Sequence, residues 1–203
     1  MKLSIRKQVE RGLPVPRKVL MLAWEYPPRV IGGLARVVCA LSREFVNAGM
    51  EVHVVTADHP GTREYDLDFG VHIHRVKTQT DPAPDFMHWI SQLNFGMLQY
   101  AIPLHQKLNF DVVHAHDWMV TDATRVLKTG FGIPVVTTMH ATEQGRMGGI
   151  HTDMQRYVSQ YEWRLCFESW RGIVNSHHMT HELKNQFNLP DDKIRMVPNG
   201  TDP

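Results

Sequence analysis

The stretch Asp111-Val112-Val113-His114-Ala115-His116-Asp117, with its companion Pro134-Val135-Val136-Thr137-Thr138-Met139-His140, decides how the rest of the chain is read. Both runs are short, β-branched and apolar, which is the pattern of strands covered on both faces in a parallel sheet. Between them, Met119–Lys128 has helical spacing and Gly130 and Gly132 mark a turn, so the whole reads as a βαβ unit. Each run then ends in groups that strand burial does not explain: His116-Asp117-Trp118 after the first, His140-Ala141-Thr142-Glu143 after the second. In an open α/β sheet the carboxyl edge of the strands, beside a topological switch point, is where ligands bind.

Working outward, the same alternation recurs on both sides. Toward the N-terminus, Lys18–Trp24 reads as a buried strand, followed by the loop Glu25-Tyr26-Pro27-Pro28-Arg29-Val30-Ile31, which its prolines are expected to keep extended. After Gly32-Gly33, apolar residues at Leu34, Val38, Leu41 and Phe45 trace one face of a helix reaching Ala48, with Gly49 suited to the position just past its end. Glu51–Ala57 and Gly70–Lys77 read as strands separated by a polar loop, and two strands in succession predict a local antiparallel excursion. Asp81–Asp85 is a loop and Phe86–Leu108 a helix, kinked near Pro103. Toward the C-terminus follow a glycine-bearing loop over Thr142–Asp153, a helix over Met154–Trp170, a strand at Gly172–Val174, a helix over His178–Phe187 and a strand at Lys193–Val197. This pattern predicts one Rossmann-like domain over residues 17–203: a doubly wound, mostly parallel sheet with helices on both faces, preceded by a basic leader, Met1–Pro16.

Composition narrows the function. Lys plus Arg number 22 against 21 for Asp plus Glu, so no net field draws the chain to nucleic acid or to an acidic membrane. Cys39 and Cys166 fall inside helical patterns and read as core thiols, which fits a reducing compartment. No run of about 18 apolar residues exists to span a bilayer, and the leader lacks an apolar signal segment. A cytoplasmic protein is expected.

Four features could carry chemistry. Gly32-Gly33 at a helix start would bare N–H groups to a phosphate, although a glycine pair is also an ordinary tight turn. The dinucleotide fingerprint G-x-G-x-x-G is absent, which argues against NAD. His114, His116, Asp117 and His140 could form a metal-dependent hydrolase site, since residues two apart on a strand share a face; the competing reading is one core histidine and one loop histidine. His177-His178-x-x-His181 lacks the glutamate of a metalloprotease helix and reads as a solvated helix start. Finally, His140, Glu143 and Arg146 put an imidazole, a carboxylate and a guanidinium on one loop, a set that holds hydroxyl-rich ligands, unless the loop is simply solvated.

Taken in order, Glu25-x-Pro-Pro, Gly32-Gly33-Leu34, Val113-His-Ala-His-Asp117-Trp118, Thr138-Met-His140-Ala-Thr-Glu143 and Val197-Pro-Asn-Gly200-x-Asp202 resemble the N-terminal half of retaining glycosyltransferases of the GT-B fold, glycogen and starch synthases above all. The resemblance runs from Lys18 onward. It implies a domain that faces a second Rossmann-like domain of the same chain, beyond Pro203, across a cleft. The first domain takes mainly an α-glucan acceptor and the second mainly a nucleotide sugar, ADP- or UDP-glucose, without a metal or other cofactor. By this resemblance His140 and Asp117 are catalytic, Gly32, Gly33 and Asn199 lie on the donor side, and Glu143, Arg146 and Glu25 lie on the acceptor side. The family's phosphate-binding cations belong to the second domain, so these 203 residues alone are not expected to turn over. The stretch Val30-Ile31-Gly32-Gly33-Leu34-Ala35-Arg36 departs from the bacterial Lys-Thr-Gly-Gly-Leu-Ala-Asp and leaves the exact sugar open. A non-catalytic sugar-binding module is a further reading of the same residues.

Overall fold

A computed structural model describes residues 17–78 and 82–200; the leader Met1–Pro16, the start of the Asp81–Asp85 loop and the Asp202 end of the last motif lie outside the described residues. The strands are β1 (Lys18–Leu22), β2 (Glu51–Ala57), β3 (Tyr65–Asp68), β4 (Val71–Val76), β5 (Val112–His116), β6 (Val135–Met139), β7 (Arg171–Val174) and β8 (Ile194–Met196). The helices are α1 (Gly33–Asn47), α2 (Phe86–Leu108), α3 (Thr121–Phe131), α4 (Glu143–Met147), α5 (Asp153–Glu168) and α6 (His177–Phe187).

The strands form one sheet in the order β3-β4-β2-β1-β5-β6-β7-β8, parallel throughout except for the β3–β4 pair. From β1 the chain moves outward through β2 to β4, then returns to the other side of β1 and moves outward again through β5 to β8. The reversal between β1 and β5 opens a crevice at their carboxyl ends. β1 shows why the sequence reads as a continuous apolar run. Leu20 and Leu22 pack with Leu93, Met97 and Leu127 on one face, while Val19, Met21 and Ala23 pack with Leu34 and Val38 on the other.

Long-range contacts lock the crevice walls. Asp85 caps α2 by accepting the His88 N–H at 2.8 Å, and α2 runs through Pro103 to a left-handed Asn109. Within α2 the buried Asn94 splices two segments: its amide donates to the Met119 carbonyl at 2.7 Å and accepts the Ala123 N–H at 2.9 Å. Gly96 lets this helix lie against β4, since a Cβ there would fall 2.1 Å from Val76 Cγ1. Cys39 and Cys166 are buried free thiols.

Four sequence expectations are corrected. β4 pairs parallel with β2; the antiparallel excursion is instead the β3–β4 hairpin, formed from residues read as polar loop. Its turn residues, Phe69 and Gly70, both take positive φ (48° and 85°), the geometry of a tight hairpin, and Arg43 and Tyr26 pin Asp68 at the end of β3, at 2.8–3.1 Å. The Glu25–Ile31 loop is not extended but turns, with the Arg29 N–H on the Tyr26 carbonyl at 3.0 Å around a cis Pro27–Pro28 peptide. Part of the Thr142–Asp153 loop is the helix α4, started by Thr142, whose hydroxyl accepts the Gly145 N–H at 3.0 Å. The helix expected from Met119 begins as a 3-10 turn, Trp118–Val120, before α3.

Candidate active site

The crevice is built by strand ends. Beyond β1, Glu25 is buried, and its carboxylate accepts N–H groups from Ile31 at 2.6 Å and from Gly32 and Ala35 at 3.2 Å. One side chain thus folds the glycine loop back onto the first turn of α1 and places a negative charge behind the positive end of that helix. The Gly33 and Leu34 N–H groups of the same turn have no partner among the described residues, and no atom lies within 4 Å of the place where a Gly33 Cβ would sit. Both residues line the cleft described below, and free N–H groups at a helix start are suited to donate to a phosphate or carboxylate oxygen.

At the end of β5, the Asp117 N–H reaches the Thr138 carbonyl at 3.0 Å, extending the ladder to β6 by one rung. Asp117 then breaks away with φ 60° and ψ 171°, a conformation at home in glycine that costs other residues about 1–3 kcal/mol. Its Oδ1 accepts the His140 N–H at 2.8 Å, which fixes the end of β6 against the end of β5. Burial pushes the Asp117 carboxyl above its usual value, opposed by His140, by backbone N–H groups and by Arg146.

The two β5 histidines share a face, as their spacing requires, with ring centroids 4.2 Å apart. Both are buried, so neither is a loop histidine. His114 Nε2 meets Thr138 Oγ1 at 2.8 Å, and His116 Nδ1 meets His140 Nε2 at 3.1 Å. Burial lowers His114 to about 3, and drives His116 and His140 down as well, so the row is neutral at neutral pH. Among the described residues no three His, Cys, Asp or Glu side chains group to hold a metal ion, and the hydrolase reading finds no ligand set there.

α4 supplies the third wall. Arg146 lies 3.0 Å from Glu143 and 3.6 Å from Glu162, while the Glu143 N–H donates to Glu162 Oε1 at 2.7 Å. Glu162 is fully buried on α5 and burial raises it to about 8. These elements enclose a cleft of about 450 Å³ lined by Glu25, Gly32, Gly33, Asp117, His140, Arg146 and Asn199, together with Trp24, Met119 and Asn175. Glu143 stands behind Arg146 rather than on the surface of the cleft. His177, His178 and His181 are exposed on α6 and are not part of it. Sequence reasoning missed Asn175, which lines the cleft, and Glu162, which is buried beside Arg146. For Glu162 a signal exists: it shares the buried stripe of α5 with Val158 and Leu165, where an acid is out of place.

The chain thus folds as a doubly wound, Rossmann-like sheet with a cleft over its switch point, and solved structures share the fold. Sucrose-phosphate synthase from Thermosynechococcus elongatus superposes with a TM-score of 0.78 at 15% identity, over 91% of this chain and 48% of that one. The catalytic domain of starch synthase IV from Arabidopsis thaliana, bound to ADP and acarbose, gives 0.65 at 13% identity, over 92% and 52%. Anabaena HepE in complex with UDP-glucose gives 0.59 at 14% identity, over 91% and 44%. The family model for Glycosyltransferase Family 4 matches residues 31–203, and the chain belongs to that family. Among its relatives are an uncharacterized glycosyltransferase of Methanocaldococcus jannaschii, 33% identical over 92% of this chain and 47% of its own length, and the glycogen synthase of Mycobacterium tuberculosis, 34% identical over 91% and 48%. The chain therefore spans about half the length of the curated relatives it matches. No helix of the described residues is long and apolar enough to cross a membrane.

Proposed function

We propose that the chain is the acceptor-side half of a retaining glycosyltransferase that moves a glucosyl unit from ADP- or UDP-glucose to an α-glucan, with a further domain of the same protein closing the cleft. The observation that carries this reading is the meeting of Gly33, Asp117 and His140, from three separate strand ends, in one cleft at the switch point. A relative named glycogen synthase and a neighbour holding ADP and acarbose support the acceptor class and the donor; the neighbour with UDP-glucose supports a nucleotide-sugar donor of either base.

Glucosyl transfer builds positive charge at the anomeric carbon and negative charge on the departing phosphate, so preorganised groups of the opposite sign lower the barrier. In this reading the free Gly33 and Leu34 N–H groups face the phosphate. Asp117 supplies the negative wall near the sugar. His140, tied through Nε2 to His116, turns its other ring nitrogen to a glucosyl hydroxyl as a neutral imidazole. Arg146, held between Glu143 and Glu162, offers its remaining N–H groups to acceptor hydroxyls, and Asn199 marks the passage toward the donor domain. Glu25 acts by shaping the glycine loop rather than by touching the acceptor.

Titrating the chain with maltohexaose and, separately, with ADP- and UDP-glucose tests the assignment. Weak saturable binding of maltohexaose, with NMR shifts at His140 and Arg146, and barely detectable nucleotide-sugar binding are expected, because among the described residues Arg146 is the one Lys or Arg lining the cleft. Tight nucleotide-sugar binding with no maltohexaose response in the cleft would overturn it.

A further inference from the structure

Beneath the cleft, His116 is sealed from solvent, its ring centroid 4.2 Å from that of His114 and 5.4 Å from that of His140. Its Nδ1 meets His140 Nε2 at 3.1 Å, and its Nε2 is buried with no hydrogen-bond partner. Turning the ring over would put a carbon in place of Nδ1 and lose the bond, so the orientation of the ring is fixed. Burial drives both imidazoles down, and both are neutral at neutral pH. A neutral imidazole carries one N–H donor and one bare acceptor nitrogen. Only one of the two facing nitrogens can therefore hold the proton, and that choice sets both rings.

Two arrangements satisfy the bond. If His140 Nε2 donates, His116 holds its own proton on Nε2, where an N–H is sealed away with nothing to receive it, and His140 shows the cleft a bare Nδ1. If His116 Nδ1 donates, the sealed nitrogen is a bare acceptor, and His140 carries its proton on Nδ1. In folded proteins an orphaned buried N–H is rarer than an under-satisfied acceptor, which favours the second arrangement. The surroundings agree. Glu25 and Asp117 line the cleft with His140, and Asp117 Oδ1 already accepts the His140 backbone N–H at 2.8 Å. Carboxylates beside an imidazole draw the N–H end of its dipole toward them. Among the described residues His140 Nδ1 has no partner, and it is not a sealed atom.

We propose that His116 is a positioning residue that fixes His140 as the tautomer donating from Nδ1 into the cleft, so that the site selects a ligand oxygen able to accept there. Histidine free in water prefers the opposite form, with its proton on Nε2, and the hydrogen bond from beneath reverses that preference. On the glucosyl-transfer reading, on which the identity of the ligand rests, a sugar hydroxyl bonded in this way keeps its own proton to give to another acceptor. Long-range proton–nitrogen correlation spectra of the ligand-free chain, isotope-labelled at the histidine rings, test the assignment. Protonated and bare ring nitrogens resonate far apart, and couplings to the ring C–H groups tell Nδ1 from Nε2. His140→Gln, at a half-buried position, identifies the His140 signal by its loss. His140 should show a protonated Nδ1 and a bare Nε2, with a coupling across the hydrogen bond to a protonated His116 Nδ1, and this coupling carries the test if the variants of His116 fail to fold. His116→Phe should abolish the preference, while His116→Asn, whose amide N–H falls near the place of Nδ1, should keep it; loss of packing alone would not separate the two. A His140 protonated on Nε2, an even mixture of tautomers, or an unchanged His140 in folded His116→Phe overturns the proposal. No ligand is present in these spectra, so that outcome leaves the glucosyl-transfer reading standing, and a failure of maltohexaose to bind would overturn that reading while leaving the tautomer as assigned.

Discussion

Replacing Glu25 with Gln asks whether one buried carboxylate organises the glycine loop. The amide keeps the shape but has only one acceptor oxygen. If that oxygen stays on Ile31 and Gly32, the new NH2 group faces the Ala35 N–H, and a buried donor loses its partner at a cost of about 1–3 kcal/mol. The two surviving bonds lose their ionic assistance, and with it about half their strength, on the order of 1 kcal/mol together. Removing the negative charge behind the first turn of α1 costs roughly 0.3–1 kcal/mol more. The sum, about 2–5 kcal/mol, is a large share of the ~5–15 kcal/mol that holds a typical domain together. Urea unfolding followed by tryptophan fluorescence should show the midpoint falling with little change of slope. Amide exchange should quicken at Ile31, Gly32 and Ala35 more than in β1. A loss below about 1 kcal/mol, with exchange at those three amides unchanged, would refute the idea that Glu25 shapes the loop.

Gly33→Ala adds a methyl group to open space; thermal unfolding should move by less than about 1 kcal/mol, if anything upward by helix propensity, while ligand binding in the cleft weakens, and a clear loss of stability would contradict the open geometry. Gly96→Ala drives a methyl group into Val76 and should cost about 1–3 kcal/mol despite the propensity gain; Val76→Ala in the same chain should relieve part of it, and strict additivity in urea unfolding would speak against the contact. Burial holds His53, His74, His114, His116 and His140 below the ordinary 6.5, with His74 at about 4 and His114 at about 3. Stability from these neutral rings is present above pH 6.5 and lost as pH falls toward those values, so the urea midpoint should drop steeply below pH 6.5, and a level profile from pH 6.5 to 4 would count against it. Glu162, raised from 4.5 to about 8, carries the opposite sign: its contribution is whole below pH 4.5 and lost as pH climbs through about 8. Glu162→Gln should therefore gain on the parent chain with rising pH, by up to roughly 1.4 kcal/mol per pH unit, and an offset that stays constant with pH would refute it.

The sequence carries most of the sheet because its central strands are buried on both faces: β5 and β6 have no way to be apolar except continuously, and α2 is bounded where its periodicity starts and stops. β3 was illegible for the opposite reason, since its residues Tyr65 to Asp68 are largely exposed and owe their pairing to the Phe69–Gly70 turn and to Arg43 across the sheet. In the site, Gly32, Asp117 and His140 were legible because strand ends converge whenever the sheet is doubly wound. The position of Glu25 beneath the loop was not, because its partners depend on a turn that local spacing does not encode. Asn175 escaped because a polar residue after a short strand looks like any loop residue until β7 is placed beside β6.

Asp117 stands in a backbone conformation that only glycine occupies in comfort, so at this crest of the sheet the chain is less at ease than it need be. A screen that rewards heat resistance alone, blind to catalysis, would be drawn to this position among the first and would trade the carboxylate for a glycine. With Asp117 acting on the sugar as proposed, robustness and chemistry would pull in opposite directions here, and the aspartate's persistence in a stability-selected library would measure how firmly its grip on the His140 amide outweighs the discomfort.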